Sequence, residues 1–283
     1  MTKLKTDLSS DYVTCQLVGR IGNQMFQLAH AFAQARTHNR QFVAPACETD
    51  THPYTDTVYR HIDFALQNTR NLSAAYIETT FSYTPTQPAE GQPTVFLGFC
   101  QSSKFFHPHE EAVKALFSPT PEFTAKCVAD YPDVLDPNCV AINVRRGDYL
   151  TQSENHPVVT LDYIHTAFKL IPNPGPVLVV SDDIPWCREN ITLPGKVTFV
   201  DYVTWEALWL LALCKHFVIS NSTFSWWGAY LGEKPDSVVV APSTWFGPGV
   251  HGRGHFETDI YQPNWIQVPT YYKDGQICVN TGV

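Results

Sequence analysis

From residue 139 onward, short apolar runs alternate with helical patterns, and that alternation most constrains what this chain can fold into. Cys139-Val140-Ala141-Ile142 and Val177-Leu178-Val179-Val180 are rich in β-branched residues and have no polar face. Such runs suit strands buried on both sides, as in a parallel sheet covered by helices. Lys196-Val197-Thr198-Phe199-Val200, Phe217-Val218-Ile219-Ser220 and Val238-Val239-Val240 repeat the theme. Helical stretches fall near 160–170, at 204–215 with Thr204 as a cap, and from Phe224 to Leu231. Strands spaced by helices make βαβ units.

The first half opens the same way. Tyr12-Val13-Thr14-Cys15-Gln16-Leu17-Val18 is extended, Gly19-Arg20-Ile21-Gly22-Asn23 is a glycine turn, and a helix follows with Met25, Leu28, Ala29, Phe32 and Ala35 on one face. Asn23 reads as an N-cap or as an amide turned toward a ligand. Without a third glycine the spacing is no dinucleotide fingerprint. Residues 45 to 93, rich in Pro, Thr, Asn and Tyr, read as loops and short helices. A strand at Thr94-Val95-Phe96-Leu97-Gly98 and a helix from Pro108 to Phe117 come next. Pro119, Pro121, Pro132 and Pro137 suit a connection between domains. The expectation is an α/β fold of two Rossmann-like domains, 1–130 and 131–283.

With 283 residues, 44% of them hydrophobic and 16% charged, the chain is a folded protein. A net charge of −8 argues against bulk binding to nucleic acid or anionic membrane, so any anion site must be local. No run reaches the roughly 20 apolar residues of a membrane span, and Met1-Thr2-Lys3-Leu4-Lys5-Thr6-Asp7 lacks the apolar core of a signal peptide. A cytoplasmic protein without an integral membrane segment is expected. The cysteines at 15, 47, 100, 127, 139, 187, 214 and 278 are dispersed and read as buried thiols. The sequons at Asn71, Asn190 and Asn221 read as coincidental.

Three loops that follow strands carry polar chemistry, and in a doubly wound domain such loops gather on one edge. The first is Asn143-Val144-Arg145-Arg146-Gly147-Asp148-Tyr149. Guanidinium forks match phosphate oxygens; the bland alternative is an Arg–Asp pair closing a turn. One arginine is expected to bind phosphate while the other braces Asp148. The second loop, Ser181-Asp182-Asp183, offers carboxylates for guanine N–H groups, ribose hydroxyls or a divalent metal, and one of the two also suits a helix cap. The third, Ser220-Asn221-Ser222-Thr223-Phe224-Ser225, opens a helix whose N-terminus can take an anion without a cation. Trp226 and Trp227 read as core. Together the loops favour a nucleotide diphosphate.

The combined pattern resembles glycosyltransferase family 11, the α-1,2-fucosyltransferases that use GDP-fucose. Four segments carry the resemblance: Gly19 to Gln27, Phe99 to Phe106, Arg145 to Tyr149, and Ser220 to Trp227. The double-arginine segment is shared with α-1,6- and protein O-fucosyltransferases. The resemblance implies a GT-B fold, with GDP-fucose held mainly by the C-terminal domain and a galactose-terminated acceptor in the interdomain cleft. It implies nucleotide contacts from Arg145, Arg146, Asn143, Asp182, Asp183, Asn221, Ser222, Thr223 and Phe224, with Arg145 on the pyrophosphate. The family pattern begins with His where this chain has Asn143. Neither a cofactor nor a metal is expected, because arginine and a helix N-terminus can stabilise the leaving GDP. Arg145, Asp148 and Asn23 are the catalytic candidates. Asp148 is a candidate base, with Glu154, His156, Asp162 or an acceptor held by Asn23 as alternatives. An enzyme that forms a different fucosyl linkage or uses a different nucleotide sugar, and a silent glycan-binding protein on the same scaffold, are the competing classes.

Overall fold

A glycine at φ +80°, a backbone region that side-chain-bearing residues rarely adopt, turns the chain from its first strand into its first helix at Gly19. The computed structural model describes residues 11–46, 54–66, 72, 74–202 and 204–280. Strand β1 (Tyr12–Cys15) is buried along its length, and helix α1 (Ile21–Thr37) follows the turn. Arg20 takes the N-cap position without a side-chain bond, so Asn23 lies inside the first turn and does not cap the helix. Two buried glutamines hold the turn instead. Gln24 Nε2 donates to Gly19 O at 2.9 Å, while Gln27 Oε1 accepts from Val18 N at 2.9 Å and its Nε2 donates to Val18 O at 3.2 Å. The expected apolar face of α1 is buried, and Phe26, Ala31 and Ala33 on its other sides are buried too.

Strand β1 pairs in parallel with β2 (Gln41–Phe42) and β6 (Thr94–Leu97), and β6 pairs with β5 (Ala74–Ile77), giving the order β2-β1-β6-β5. A separate parallel pair joins β3 (Ala44–Pro45) to β4 (Phe64–Leu66). The expectation of loops and short helices over 45–93 therefore missed strands. Ala74-Ala75 has weak strand propensity, and β5 exists because β6 offers a partner, which no local pattern reveals. Helix α2 (Glu110–Leu116) follows a 3₁₀ turn at His107–His109. These elements form one unit, Met1–Pro119 with Thr258–Tyr261.

The second unit comprises Thr120–Glu257 and Gln262–Val283. It begins with helix α3 (Pro121–Asp130), in a stretch whose prolines suggested only a connection. Thr120 Oγ1 accepts from Phe123 N at 3.1 Å and Pro121 sits at the first helical position, where its missing N–H costs nothing. The elements that follow are β7 (Val140–Val144), β8 (Val158–Val159), α4 (Leu161–Phe168), β9 (Val177–Ser181), α5 (Ile184–Asn190), β10 (Val197–Phe199) and α6 (Thr204–Leu213). Then come β11 (His216–Val218), α7 (Thr223–Gly232), β12 (Val239–Pro242), α8 (Pro248–His251), β13 (Ile266–Val268), β14 (Thr270–Lys273) and β15 (Gln276–Val279). Thr204 is the first helical residue of α6, and the cap position before it lies outside the described residues.

Six strands form a parallel sheet in the order β10-β9-β7-β11-β12-β13; β14, β15 and β8 form a small second sheet. Val140, Ile142, Val144, Val177 and Val179 pack against Tyr163, Ile164 and Phe168 of α4, Cys187 of α5 and Ile191 just after it. Each such side chain contributes about 1.5–3 kcal/mol on burial. Trp226 and Trp227 are fully buried, as core residues. The described cysteines carry free thiols, all buried except the half-buried Cys278; Cys47 and the sequon at Asn71 lie outside the described residues.

Strand order places the functional edges. From β7 the chain winds to β9 and β10, then returns to β11 on the other side of β7 and winds outward to β12 and β13. The reversal falls between β7 and β11, and ligands in such sheets bind beyond the strand ends at that point. In the first sheet the chain winds from β1 outward to β2 and returns from the far edge, β5, inward to β6 beside β1. No helix among the described residues is long and apolar enough to cross a membrane.

Candidate active site

The loops leaving β7 and β11 flank the reversal in the larger sheet, and they hold the predicted residues. Asn143, still on β7, is buried, with Nδ2 donating to Val180 O at 3.2 Å and Oδ1 accepting from Ser220 Oγ at 2.7 Å. Its amide thus ties the ends of three adjacent strands together. Arg145 forks between two carboxylates, Nη2 meeting Asp148 Oδ1 at 2.6 Å and Nη1 meeting Asp182 Oδ2 at 2.9 Å. Its neighbour Arg146 faces a different set. There Nε meets Asp183 Oδ2 at 3.0 Å, and the guanidinium lies 3.7 Å from the centre of the Trp186 ring, a cation–π contact.

The two aspartates after β9 have separate tasks. Asp182 Oδ1 accepts from the backbone N–H of Arg146 at 2.9 Å while its other oxygen holds Arg145. Asp183 is the N-cap of α5, accepting from Trp186 N at 3.2 Å, so the capping alternative holds for it alongside its ion pair. Register explains the meeting: Val144 is paired with Ser181, so the residues that follow each strand emerge side by side. Among the described residues no cluster of His, Cys, Asp and Glu is placed to hold a metal ion.

Gly147 makes this approach possible. A Cβ there would stand 2.3 Å from Asp182 Oδ2 and 3.1 Å from its Cγ. Gly147→Ala must therefore push the carboxylate off Arg145 and off the Arg146 N–H. Because a hydrogen bond to a charged group is worth about 1.5–3 kcal/mol, the thermal midpoint of Gly147→Ala, followed by circular dichroism, is expected to fall by about 5 °C. An unchanged midpoint would show that the Asp182 contacts contribute nothing to holding this site.

Tyr149 links the first loop to the third, donating from its hydroxyl to Asn221 O at 3.1 Å and bonding the Ser222 side chain. Burial pushes its pKa up to about 12, so it stays protonated. Its ring stacks on His156 at 4.9 Å, and burial lowers the pKa of that imidazole despite the nearby Asp148 charge. Asn221 has its Nδ2 committed to Pro157 O and Trp245 O at 3.0 and 2.9 Å, so its amide braces the loop. Ser222 holds the N-cap position of α7 without a side-chain cap bond, and Thr223 and Phe224 follow, half-buried, in the first turn. First-turn N–H groups have no partner within a helix, which suits them to an anion.

The other base candidates sit elsewhere. Glu154 Oε1 accepts from Tyr272 OH at 3.2 Å. Asp162, in the first turn of α4, lines a cavity of about 290 Å³ with Arg146, Trp186 and Gln276. Asn23 belongs to the first unit, where its Oδ1 accepts from Gln101 Nε2 at 3.1 Å. Trp186 was missed in sequence, although Asp183-Ile184-Pro185 carries a helix-start signal that places Trp186 one turn in. Tyr149 stood inside the motif, and its bridging role had no local signal.

With two cations against three carboxylates, the cluster of Arg145, Arg146, Asp148, Asp182 and Asp183 is net negative by one. The arginines are aimed by their aspartates, and each guanidinium, with five N–H donors, retains donors beyond those pairs. An incoming diphosphate would add the negative charge that suits this fork and the α7 terminus together.

Comparison with known proteins agrees with this reading. The model of glycosyl transferase family 11 matches residues 1–269. An alpha-1,2-colitosyltransferase of Escherichia coli is 32% identical over 163 residues, covering 53% of this chain and 56% of that protein. The human galactoside alpha-(1,2)-fucosyltransferase 1 is 29% identical over 252 residues, covering 80% of this chain and 67% of its own length. The chain thus spans little more than half the length of the first of these relatives and about two thirds of the second. A crystal structure of the alpha-1,6-fucosyltransferase NodZ with GDP superimposes with a TM-score of 0.50 at 14% identity, covering 78% of this chain and 92% of that one, a likeness of fold alone. An α/β, GT-B-like fold, four motif segments in order and a family match from end to near end lead to one assignment: the chain belongs to glycosyl transferase family 11.

Proposed function

We propose that this protein is an inverting glycosyltransferase that moves L-fucose from GDP-β-L-fucose to the 2-hydroxyl of a terminal galactoside, forming an α-1,2 linkage. The observation that carries the reading is the Arg145 fork at the strand reversal, with the α7 terminus across the same edge. The second unit holds the donor. The acceptor oxygen attacks C1 of fucose, the C1–O bond to the β-phosphate breaks, GDP leaves with the electron pair, and the hydroxyl proton is lost late in the step to an oxygen of the departing diphosphate and from there to solvent. Arg145 and the first turn of α7 stabilise the charge that grows on the diphosphate, and preorganised stabilisation of this kind supplies much of the rate enhancement in many enzymes.

Asp148 serves this step by aiming Arg145, since its carboxylate is 2.6 Å from Nη2. In the first unit, Asn23 holds an acceptor hydroxyl. The 32% identity to a colitosyltransferase favours one second reading, in which the transferred sugar is colitose.

The test is incubation with a panel of nucleotide sugars and lactose, followed by mass spectrometry and linkage analysis of the products. GDP-fucose consumption with an α-1,2-linked product is expected, with full activity in EDTA. Activity lost in EDTA and restored by a divalent ion would make the carboxylates a metal site, and a different linkage would overturn the acceptor assignment.

A further inference from the structure

We propose that Tyr149 is a positioning residue that ties Arg145 to the loop before α7 and keeps the N-terminus of that helix uncapped for phosphate. The inference rests on the donor-binding role proposed for Arg145 and the α7 terminus.

Tyr149 touches both halves of that site. The guanidinium carbon of Arg145 lies 5.3 Å from the centre of its ring, a cation–π contact, and His156 stacks on the ring at 4.9 Å with the planes 19° apart. Phe246 packs on that imidazole in turn, at 6.0 Å. At the far end of the same rigid phenol, the hydroxyl donates to Asn221 O at 3.1 Å. Asn221, 1% exposed, returns the contact through Nδ2, which donates to Pro157 O at 3.0 Å and to Trp245 O at 2.9 Å. The loop after β7 therefore grips the loop after β11 at two points, through Tyr149 and through Pro157.

Ser222 shows what this grip does to the helix. It occupies the N-cap position of α7 with an extended backbone, φ −127° and ψ 130°, the conformation from which a serine hydroxyl commonly accepts the N–H three residues on. That bond is absent, and the side chain bonds Tyr149 instead. The first N–H to turn back into the helix is that of Trp226, which donates to Ser222 O at 3.0 Å. Ahead of it, the N–H groups of Phe224 and Ser225 have no hydrogen bond among the described residues. A serine that sits at a cap position and does not cap forgoes stability. Tyr149 diverts it, and two donors stay open at the positive end of a ten-residue helix, on the loop that the same phenol ties to the Arg145 cation.

Tyr149→Phe removes the hydroxyl and keeps the ring. Released from Tyr149, the Ser222 hydroxyl is expected to turn back and cap Ser225. The new cap offsets the lost bond to Asn221, so the thermal midpoint is expected to stay within about 5 °C of the parent's. In the ligand-free protein, hydrogen exchange followed by NMR is expected to slow at the Ser225 amide, whereas a mutation that merely loosened the loop would speed it. GDP affinity by calorimetry is expected to fall about tenfold, the low end for one hydrogen bond to a charged group.

Adding Ser222→Ala to Tyr149→Phe removes the competing cap, and the double variant is expected to bind GDP about threefold tighter than Tyr149→Phe, with faster exchange at Ser225. Parent-like GDP affinity in Tyr149→Phe would overturn the inference, as would weaker affinity accompanied by faster exchange and a lower midpoint. A double variant that binds GDP no better than Tyr149→Phe would overturn it too. A parent protein that binds no GDP would instead overturn the proposed function, and the exchange measured without ligand would still report whether Tyr149 holds the helix uncapped.

Discussion

Replacing Arg145 with lysine is expected to lower kcat by about a hundredfold or more, the scale for removing one preorganised donor at a developing charge. The guanidinium now spans Asp148 Oδ1 at 2.6 Å and Asp182 Oδ2 at 2.9 Å with separate nitrogens. A lysine ammonium keeps the charge but is a single point on a flexible stem, and it cannot bridge both carboxylates while presenting a planar face to phosphate. The fold is expected to survive, since the strand before Arg145 is held by its neighbours on both sides. Steady-state kinetics beside circular dichroism decides the matter. Near-normal turnover, or inactivity that tracks unfolding, would move Arg145 from catalysis to structure.

Asp148→Asn is expected to reduce GDP affinity, donor hydrolysis and transfer together, each by about tenfold or more, because a hydrogen bond between charged partners is worth about 1.5–3 kcal/mol. The amide keeps the shape and can still accept one bond from Arg145, but it no longer carries the charge that holds the guanidinium in place. A true base behaves differently: transfer alone would fall, by about a hundredfold, with GDP binding intact. Calorimetry beside both rates separates the two, and a selective loss of transfer would displace the bracing role given to Asp148. His156 is then the side chain to test next, for it stacks on Tyr149 beside the same carboxylate, although burial weakens it as a base.

The larger sheet was legible because parallel strands covered on both faces must be near-continuous apolar runs, and Cys139 to Ile142 and Val177 to Val180 meet that demand by themselves. Strands that depend on a neighbour were not. Ala74–Ile77 carries little pattern of its own and pairing creates it, whereas the β14–β15 hairpin was overlooked although Asp274-Gly275, both at positive φ, is the two-residue turn that marks one. Helix α3 was hidden for a different reason: prolines at 119, 121, 132 and 137 read as punctuation, although one of them starts a helix.

In the site, the residue types were legible and their partners were not. Arg145-Arg146 and Asp182-Asp183 are local motifs whose chemistry follows from the side chains. Sequence alone therefore determined a parallel α/β protein with anion-binding chemistry on loops after strands, and the motifs that mark its family. Which carboxylate meets which arginine was decided only by the tertiary structure, because β9 lies next to β7 with Ser181 opposite Val144. The amide contact between Asn23 and Gln101, 78 residues apart, was set the same way, by β1 and β6 being neighbours. Side-chain chemistry is a property of a residue, whereas a contact between distant residues is a property of strand order, and strand order is settled by the burial of the whole sheet.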